Sequence, residues 1–578
     1  MRNPIFVSVL LAVAGCGVDS GPATGDDTVA PDPVMSQLMV TPSGLEARVV
    51  DDAVVDHDFK AVFTAADGTV TDVTDQVEFS LADTRFGKFH GNRLTVTGGG
   101  AGPTEVIAKM RDGHTGSAPI TVFVAGTRNQ GAPDYAASLF DSATAQANCA
   151  PTIAYPDSKT LVPANLGALD VHWTDSVNDL FKVRVHNLYV DLTFFAKDAS
   201  WLTVDSDWSK FATSRMPITV EVVGMQSTAP TAKCTAAARY VDVTRDDARG
   251  GVYYWTTDWL ARAAGLPGQD IMRYDLAKPA IAPAPMFTDA TRPAACVGCH
   301  ALSRDGRRIA MTMDGSTGRG SVIDLPSNRE LMPTGADAPR WSTAVFNHDG
   351  SKLIAVQDGQ MRLITATSGQ TLTTVPNTAG TIAGNPEFSP DGMKLVNVES
   401  TGVDDWAFGN ASIVVRSFDN TTNAFGATQV VIPFDVDGGT QSYYPSWSPD
   451  GEWLAVTRSP NGNSYANPEA TIWVVKADGS VPAVEMTTGG VMDSWARWMP
   501  YANNVDDEPV YFLTFSSARP FGTRLPEGGL PQIWVAPFYP GRAVDGRPAT
   551  GSPYRAPFQS IYASNHNAQW TQAVVSAQ

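Results

Sequence analysis

Charge is scarce in this chain, and basic charge scarcer still. Charged residues fill 17% of 578 positions, with 41 Lys and Arg against 60 Asp and Glu, a formal net charge of -19. Such a surface repels phosphate backbones, and no basic run interleaved with aromatics offsets it, which argues against nucleic acid as a partner. Long apolar runs are missing too: Pro4 to Ala12 is mostly apolar but too short to span a bilayer as a permanent helix, and nothing later reads as membrane-spanning. No second C-x-x-C and no H-x-x-x-H is present to complete the four ligands of a structural zinc site. Ser, His and Asp occur without a G-x-S-x-G elbow leading into a helix, which leaves a hydrolase little support.

What the chain has in abundance is turn residues, 50 Gly and 40 Pro. That profile suits many short strands better than long helices. It also has 5 cysteines in an instructive arrangement. Cys296-Val297-Gly298-Cys299-His300 is a C-x-x-C-H run, which reads as a c-type haem attachment site: two thiols three positions apart can add to the two vinyl groups of one haem, and the adjacent imidazole can ligate the iron. A redox dithiol or a plain disulfide is the competing reading of the pair, although no β-α-β setting of the kind a redox dithiol uses is visible.

At the N-terminus, Met1-Arg2-Asn3 and the apolar stretch lead to Val13-Ala14-Gly15-Cys16, which resembles the lipobox of bacterial lipoprotein signals. The resemblance implies export, cleavage before Cys16 and lipidation of that cysteine, hence a membrane partner through the N-terminal lipid. Gly17 in second position of the mature chain resembles sorting to the outer membrane. Cys149 and Cys234 then remain, as a disulfide suited to an oxidising compartment or as two separate buried thiols.

Residues 17–34 are small, acidic and Pro-rich, and read as a flexible tether. From 35 to 126, short alternating strands such as Gln37 to Val40, Leu94 to Val96 and Ile120 to Val124 predict a β-sandwich. The run Phe63-Thr64-Ala65, Asp67-Gly68, Asp72-Val73-Thr74 and Gly98 to Gly100 resembles bacterial Ig-like repeats, which implies a spacer or adhesive module. A second Ig or fibronectin-like sandwich is expected over 150–245. His172 and His186, in or beside its strands, read as ordinary satisfied or solvent-facing histidines.

From residue 250 to 578 the sequence repeats. Leu302-Ser303-Arg304-Asp305-Gly306, Phe346-Asn347-His348-Asp349-Gly350, Phe388-Ser389-Pro390-Asp391-Gly392 and Trp447-Ser448-Pro449-Asp450-Gly451 each precede an apolar strand. A hairpin plus two outer strands per period of about 40 to 50 residues is a β-propeller blade. The copies resemble TolB-type repeats, whose hallmark is F/W-S-P-D-G. A degenerate blade follows at Trp495 to Trp498. Gly251 to Trp255 and Ile271 to Leu276 lack an innermost strand that Ala568 to Thr571 can supply. The expected fold is all-β: Ig-like sandwiches followed by a six-bladed TolB-like propeller.

The C-V-G-C-H run falls between the first and second blades, and is expected as a loop insertion near the central channel. His566, before the innermost strand of the first blade, is the candidate distal iron ligand. Met286, Met311, Met313 and His348 are rivals, and an open distal position is a further alternative. The continuous run Cys296 to Gly306 resembles exported myxobacterial proteins in which the same motif opens a TolB-like propeller, which implies haem c at Cys296, Cys299 and His300. The functional expectation is an extracytoplasmic, lipid-anchored electron-transfer or redox-sensing protein with a redox protein partner. The alternative is a surface scaffold binding a protein or glycan, with the cysteine pair structural.

Overall fold

The computed structural model describes residues 36–258, 268–278, 282–288, 297–313, 318–332, 338–402, 408–435, 439–460, 467–487 and 491–575. The signal segment with Cys16, the tether 17–34 and Cys296 lie outside the described residues.

The first unit is built on period-two alternation. Gln37–Thr41 buries Leu38 and Val40 and turns Gln37, Met39 and Thr41 outward, as a half-covered strand must. Its central element is Thr115–Gln130, 16 residues long, with Ala118, Ile120, Val122 and Val124 buried in alternation. The first half of this strand pairs antiparallel with Gly102–Met110 and parallel with Leu45–Val50. Its second half pairs parallel with Val190–Lys197. One strand therefore runs past residue 126 and joins the first and second units in a single sheet.

The second unit adds Leu180–His186 and Ile218–Met225 to that sheet, and sets against it a three-stranded layer of Thr152–Tyr155, Asp170–Thr174 and Trp201–Thr203. A short helix, Trp208–Ser214, buries Trp208, Phe211 and Ala212. Its Thr213 hydroxyl accepts from the Ala101 N–H at 2.8 Å and so ties the two units together. Cys149 and Cys234 are disulfide-bonded, with α-carbons 5.5 Å apart and a sequence separation of 85. Closing a loop of that length removes chain entropy from the unfolded state equivalent to about 4 to 5 kcal/mol.

Residues 251–571 form six antiparallel sheets. Their innermost strands are Ser564–Thr571 in blade 1, Val297–Leu302 in blade 2, Thr343–Phe346 in blade 3, Ile382–Phe388 in blade 4, Thr440–Trp447 in blade 5 and Ser494–Trp498 in blade 6. Each touches the next, and the contact between blades 1 and 2 closes the ring. Blade 1 draws on both ends of the region, because Ser564–Thr571 pairs with Gly251–Thr257. Closure removes the exposed edges an open sheet stack would present.

The repeat residues explain the turns. Ser303 donates to the Asp305 carboxylate at 2.6 Å and accepts from the Arg308 N–H at 2.8 Å. Ser389 does the same with Asp391 and Lys394, and Ser448 with Asp450 and Trp453. In blade 3 Asn347 substitutes, accepting from Lys352 N–H and donating to Asp349, both at 2.9 Å. The glycine that follows must be glycine: Gly306 has φ +73°, and an added Cβ would lie 2.2 Å from the Ala573 carbonyl oxygen. The repeat aromatic locks neighbouring blades. The Trp447 indole N–H donates to the Glu387 carbonyl of blade 4 at 3.3 Å, and Trp498 to the Ser446 carbonyl of blade 5 at 3.0 Å.

The second unit docks on blade 6. The Thr523 N–H donates to His172 Nδ1 at 3.2 Å, and the Arg555 N–H to the Tyr155 hydroxyl at 3.3 Å. His172 is fully buried, and burial lowers its pKa to about 3, so the ring is a neutral structural acceptor.

Candidate functional site

Val297, Gly298, Cys299 and His300 do not form a loop insertion. They lie within the innermost strand of blade 2, paired with Arg308–Met313. Likewise His566 lies inside the innermost strand of blade 1, opposite Trp255, rather than before it. The reason is a β-bulge: pairing breaks register between Gly298 and Ala301, and Cys299 takes φ +46°. Two residues then oppose one, and the ladder continues across a segment with no strand-like alternation.

The same device recurs around the ring. Asn385 (φ +46°), Tyr444 (+46°), Trp495 (+54°) and Asn567 (+49°) occupy the matching position in blades 4, 5, 6 and 1, beside the register shifts of those innermost strands.

Cys299 is half-buried and His300 is 3% exposed. His300 Nε2 stands 3.3 Å from the carbonyl oxygen of Tyr253, on blade 1. A carbonyl only accepts, so Nε2 carries the proton. Burial holds the pKa at about 4, so the ring is neutral at physiological pH. The neutral tautomer leaves Nδ1 an unprotonated lone pair, and this buried atom has no hydrogen-bond partner among the described residues.

His566 is 2% exposed, with burial lowering its pKa to about 4. Its ring is flanked by Trp255 at 5.7 Å and Trp495 at 5.9 Å. Among the rivals, Met311 and Met313 are fully buried in the core between blades 1 and 2, and Met286 packs against the same cluster. His348 is exposed on the blade 3 turn. No group of three or more potential metal-ligating His, Cys, Asp or Glu side chains occurs among the described residues.

A neutral imidazole with an uncommitted lone pair, one position from a half-buried thiol, fits the donor set of a c-type haem. The other nitrogen is already engaged by Tyr253, so the strand fixes the ring from behind.

A second polar centre was not singled out from the sequence. One residue from every innermost strand faces the central channel: Ala301, Val345, Glu387, Ser446, Arg497 and Gln569 line a cavity of about 140 Å³. Glu387 Oε1 accepts from the Ser446 hydroxyl at 3.1 Å and the Trp447 N–H at 3.0 Å, and Oε2 lies 3.7 Å from Arg497. Burial raises the Glu387 pKa, with Arg497 and these hydrogen bonds opposing the rise. Arg304 also lines the cavity, and burial lowers its pKa. The signal was available: each of the six precedes the aromatic or apolar residue that opens a repeat or its degenerate counterpart.

No protein-family model matches this chain, and no curated protein matches its sequence. Among solved structures, a putative TolB from Agrobacterium tumefaciens is similar over 57% of this chain and 95% of its own, at 14% identity and TM-score 0.30. The β-propeller domain of Cps50 (Swd1) from Myceliophteria thermophila is similar over 43% of this chain and 86% of its own, at 13% identity and TM-score 0.29. Hydrazine synthase from Kuenenia stuttgartiensis is similar over 43% of this chain and 70% of its own, at 14% identity and TM-score 0.27.

Proposed function

We propose that this chain is an exported, lipid-anchored protein whose propeller carries a covalent haem c at Cys296, Cys299 and His300 and serves single-electron transfer or redox sensing. The observation that carries the reading is the buried Nδ1 lone pair of neutral His300 beside Cys299. Cys296 and Cys299 would hold the haem through thioether bonds and His300 would ligate its iron. Haem, when bound, would supply a one-electron couple.

Tyr253 orients the imidazole through its carbonyl, and closure of blade 1 over blade 2 keeps water from the ring. His566, buried and neutral on the adjoining innermost strand, is the candidate distal residue that would also ligate the iron. The disulfide Cys149–Cys234 supports an oxidising, extracytoplasmic setting. The lipobox ending at Cys16 supports anchoring to the bacterial membrane, with the outer membrane the favoured site and a redox protein the expected partner.

The test is expression with the native export signal in a host competent for c-type cytochrome maturation, followed by pyridine haemochrome spectra. A covalent haem c spectrum that disappears in Cys296→Ala/Cys299→Ala is the expected result. A haem-free wild type, in a host that matures a control cytochrome, overturns the reading and leaves a binding scaffold.

A further inference from the structure

The channel cavity holds an unbalanced charge. Arg304 and Arg497 contribute two guanidinium groups and Glu387 one carboxylate. Glu387 is already committed: one oxygen takes two hydrogen bonds from blade 5, and the other faces Arg497. Arg497 also donates to its neighbour's carbonyl, Ala496, at 3.0 Å. Arg304 forms no ion pair and no side-chain hydrogen bond among the described residues, although it is half-buried and desolvated. A half-buried guanidinium that lines a cavity with its five donors uncommitted to protein acceptors is available to an anion.

We propose that the propeller channel is a binding site for a single carboxylate group, held by Arg304 with Arg497 and Gln569 beside it. The charge count selects the class. Two cations and one anion leave one positive charge, which a monoanion neutralises; a phosphate dianion overshoots and meets Glu387. Size agrees: about 140 Å³ is the liquid volume of roughly four or five waters. That is room for a carboxylate and a few carbons at the charged end of the cavity. Shape agrees as well, since a planar carboxylate matches the guanidinium fork in a bidentate pair. Trp447, Trp498 and Trp570 line the same cavity and offer apolar wall to a short carbon chain. His300, which immediately precedes Ala301, is not part of the wall, so the site is independent of the haem reading.

Two sources carry this chemistry: a free short-chain carboxylic acid, and the C-terminal carboxylate of a peptide. The purified mature chain, prepared with and without haem maturation, is titrated with propionate, trialanine, trialanine amide and inorganic phosphate. Tryptophan emission is the readout, because three tryptophans line the cavity. The expected result is saturable binding of a carboxylate that weakens at least about tenfold in Arg304→Gln and is unchanged in the exposed control Arg547→Gln.

Propionate binding identifies a free acid. Binding of trialanine alone, abolished by amidation, identifies a chain terminus. Phosphate binding as tight as either, an unchanged affinity in Arg304→Gln, or no saturation with any carboxylate overturns the proposal. Should Arg304→Gln fail to fold, Arg304→Lys keeps the charge and loses the fork: a weaker carboxylate affinity supports the site, and an unchanged one overturns it. Haem loading is read separately by absorbance, so failure of one reading leaves the other standing.

Discussion

The propeller centre has two polar regions that solve the same problem in opposite ways. Between blades 1 and 2, His300 and His566 are buried and have shed their charge, each with a pKa of about 4. Across blades 4 to 6, Glu387 and Arg497 are held together as an ion pair, since an arginine cannot neutralise itself in that way. The backbone is the same bulged innermost strand in both regions. Side-chain chemistry alone therefore decides whether a position at the centre of this ring becomes a neutral donor or part of a charged receptor.

The two regions must respond to acid with opposite signs. A histidine whose folded pKa lies below its unfolded value binds fewer protons folded than unfolded, so stability is lost as pH falls from about 6.5 toward 4. In the chain prepared without haem, the loss for His300 and His566 is about 3 kcal/mol each once pH reaches 4, since 2.5 units separate the reference value of 6.5 from a folded value of about 4. His300→Gln/His566→Gln is expected to flatten that part of the acid limb, measured as the shift in Tm between pH 7 and pH 4.5. An acid limb that keeps its full slope in this double variant breaks the comparison.

Glu387 runs the other way, because a carboxyl with a raised folded pKa is penalised as pH rises through the carboxylate range and relieved on acidification. Arg497→Ala leaves this carboxylate desolvated, with Arg304 the one remaining cation of the cavity. Stability is expected to fall by about 2 kcal/mol at pH 7, less than for a wholly sealed pair because the cavity admits water. The loss should shrink at pH 5, as denaturation midpoints at the two pH values will show.

The smallest effect belongs to Glu387→Gln, within about 1 kcal/mol at neutral pH, since the amide oxygen can still accept from Ser446 and Trp447. It sharpens the contrast by another route: the centre gains net positive charge, so propionate should bind more tightly than to the wild type in the fluorescence titration.

The sequence made the ring legible because its repeat residues have architectural duties. The Ser or Asn of each copy ties down its own turn, and the aromatics of blades 5 and 6 reach back to the preceding blade. It did not disclose that Gly298-Cys299-His300 continues a strand. The left-handed turn at Cys299 has no glycine to announce it, and the pairing that imposes it comes from blade 2's second strand. The long strand Thr115–Gln130 was obscured for a different reason: its apolar alternation stops near Gly126, and the polar remainder is held by backbone pairing to Val190–Lys197. Glu387, Arg304 and Arg497 lie far apart in sequence, and only closure of the ring puts them in one cavity.

Closure also sets an order of events. Blades 2 to 6 are each built from a continuous stretch of chain, whereas blade 1 needs Thr571 beside Gly251, a contact spanning 320 residues. Loop-closure entropy makes such a contact a late one in assembly. Until it forms, Tyr253 and His300 stand at an open seam rather than inside a wall. The strand that completes the scaffold is thus also the door of the His300 site, open until the two ends of the propeller segment have met.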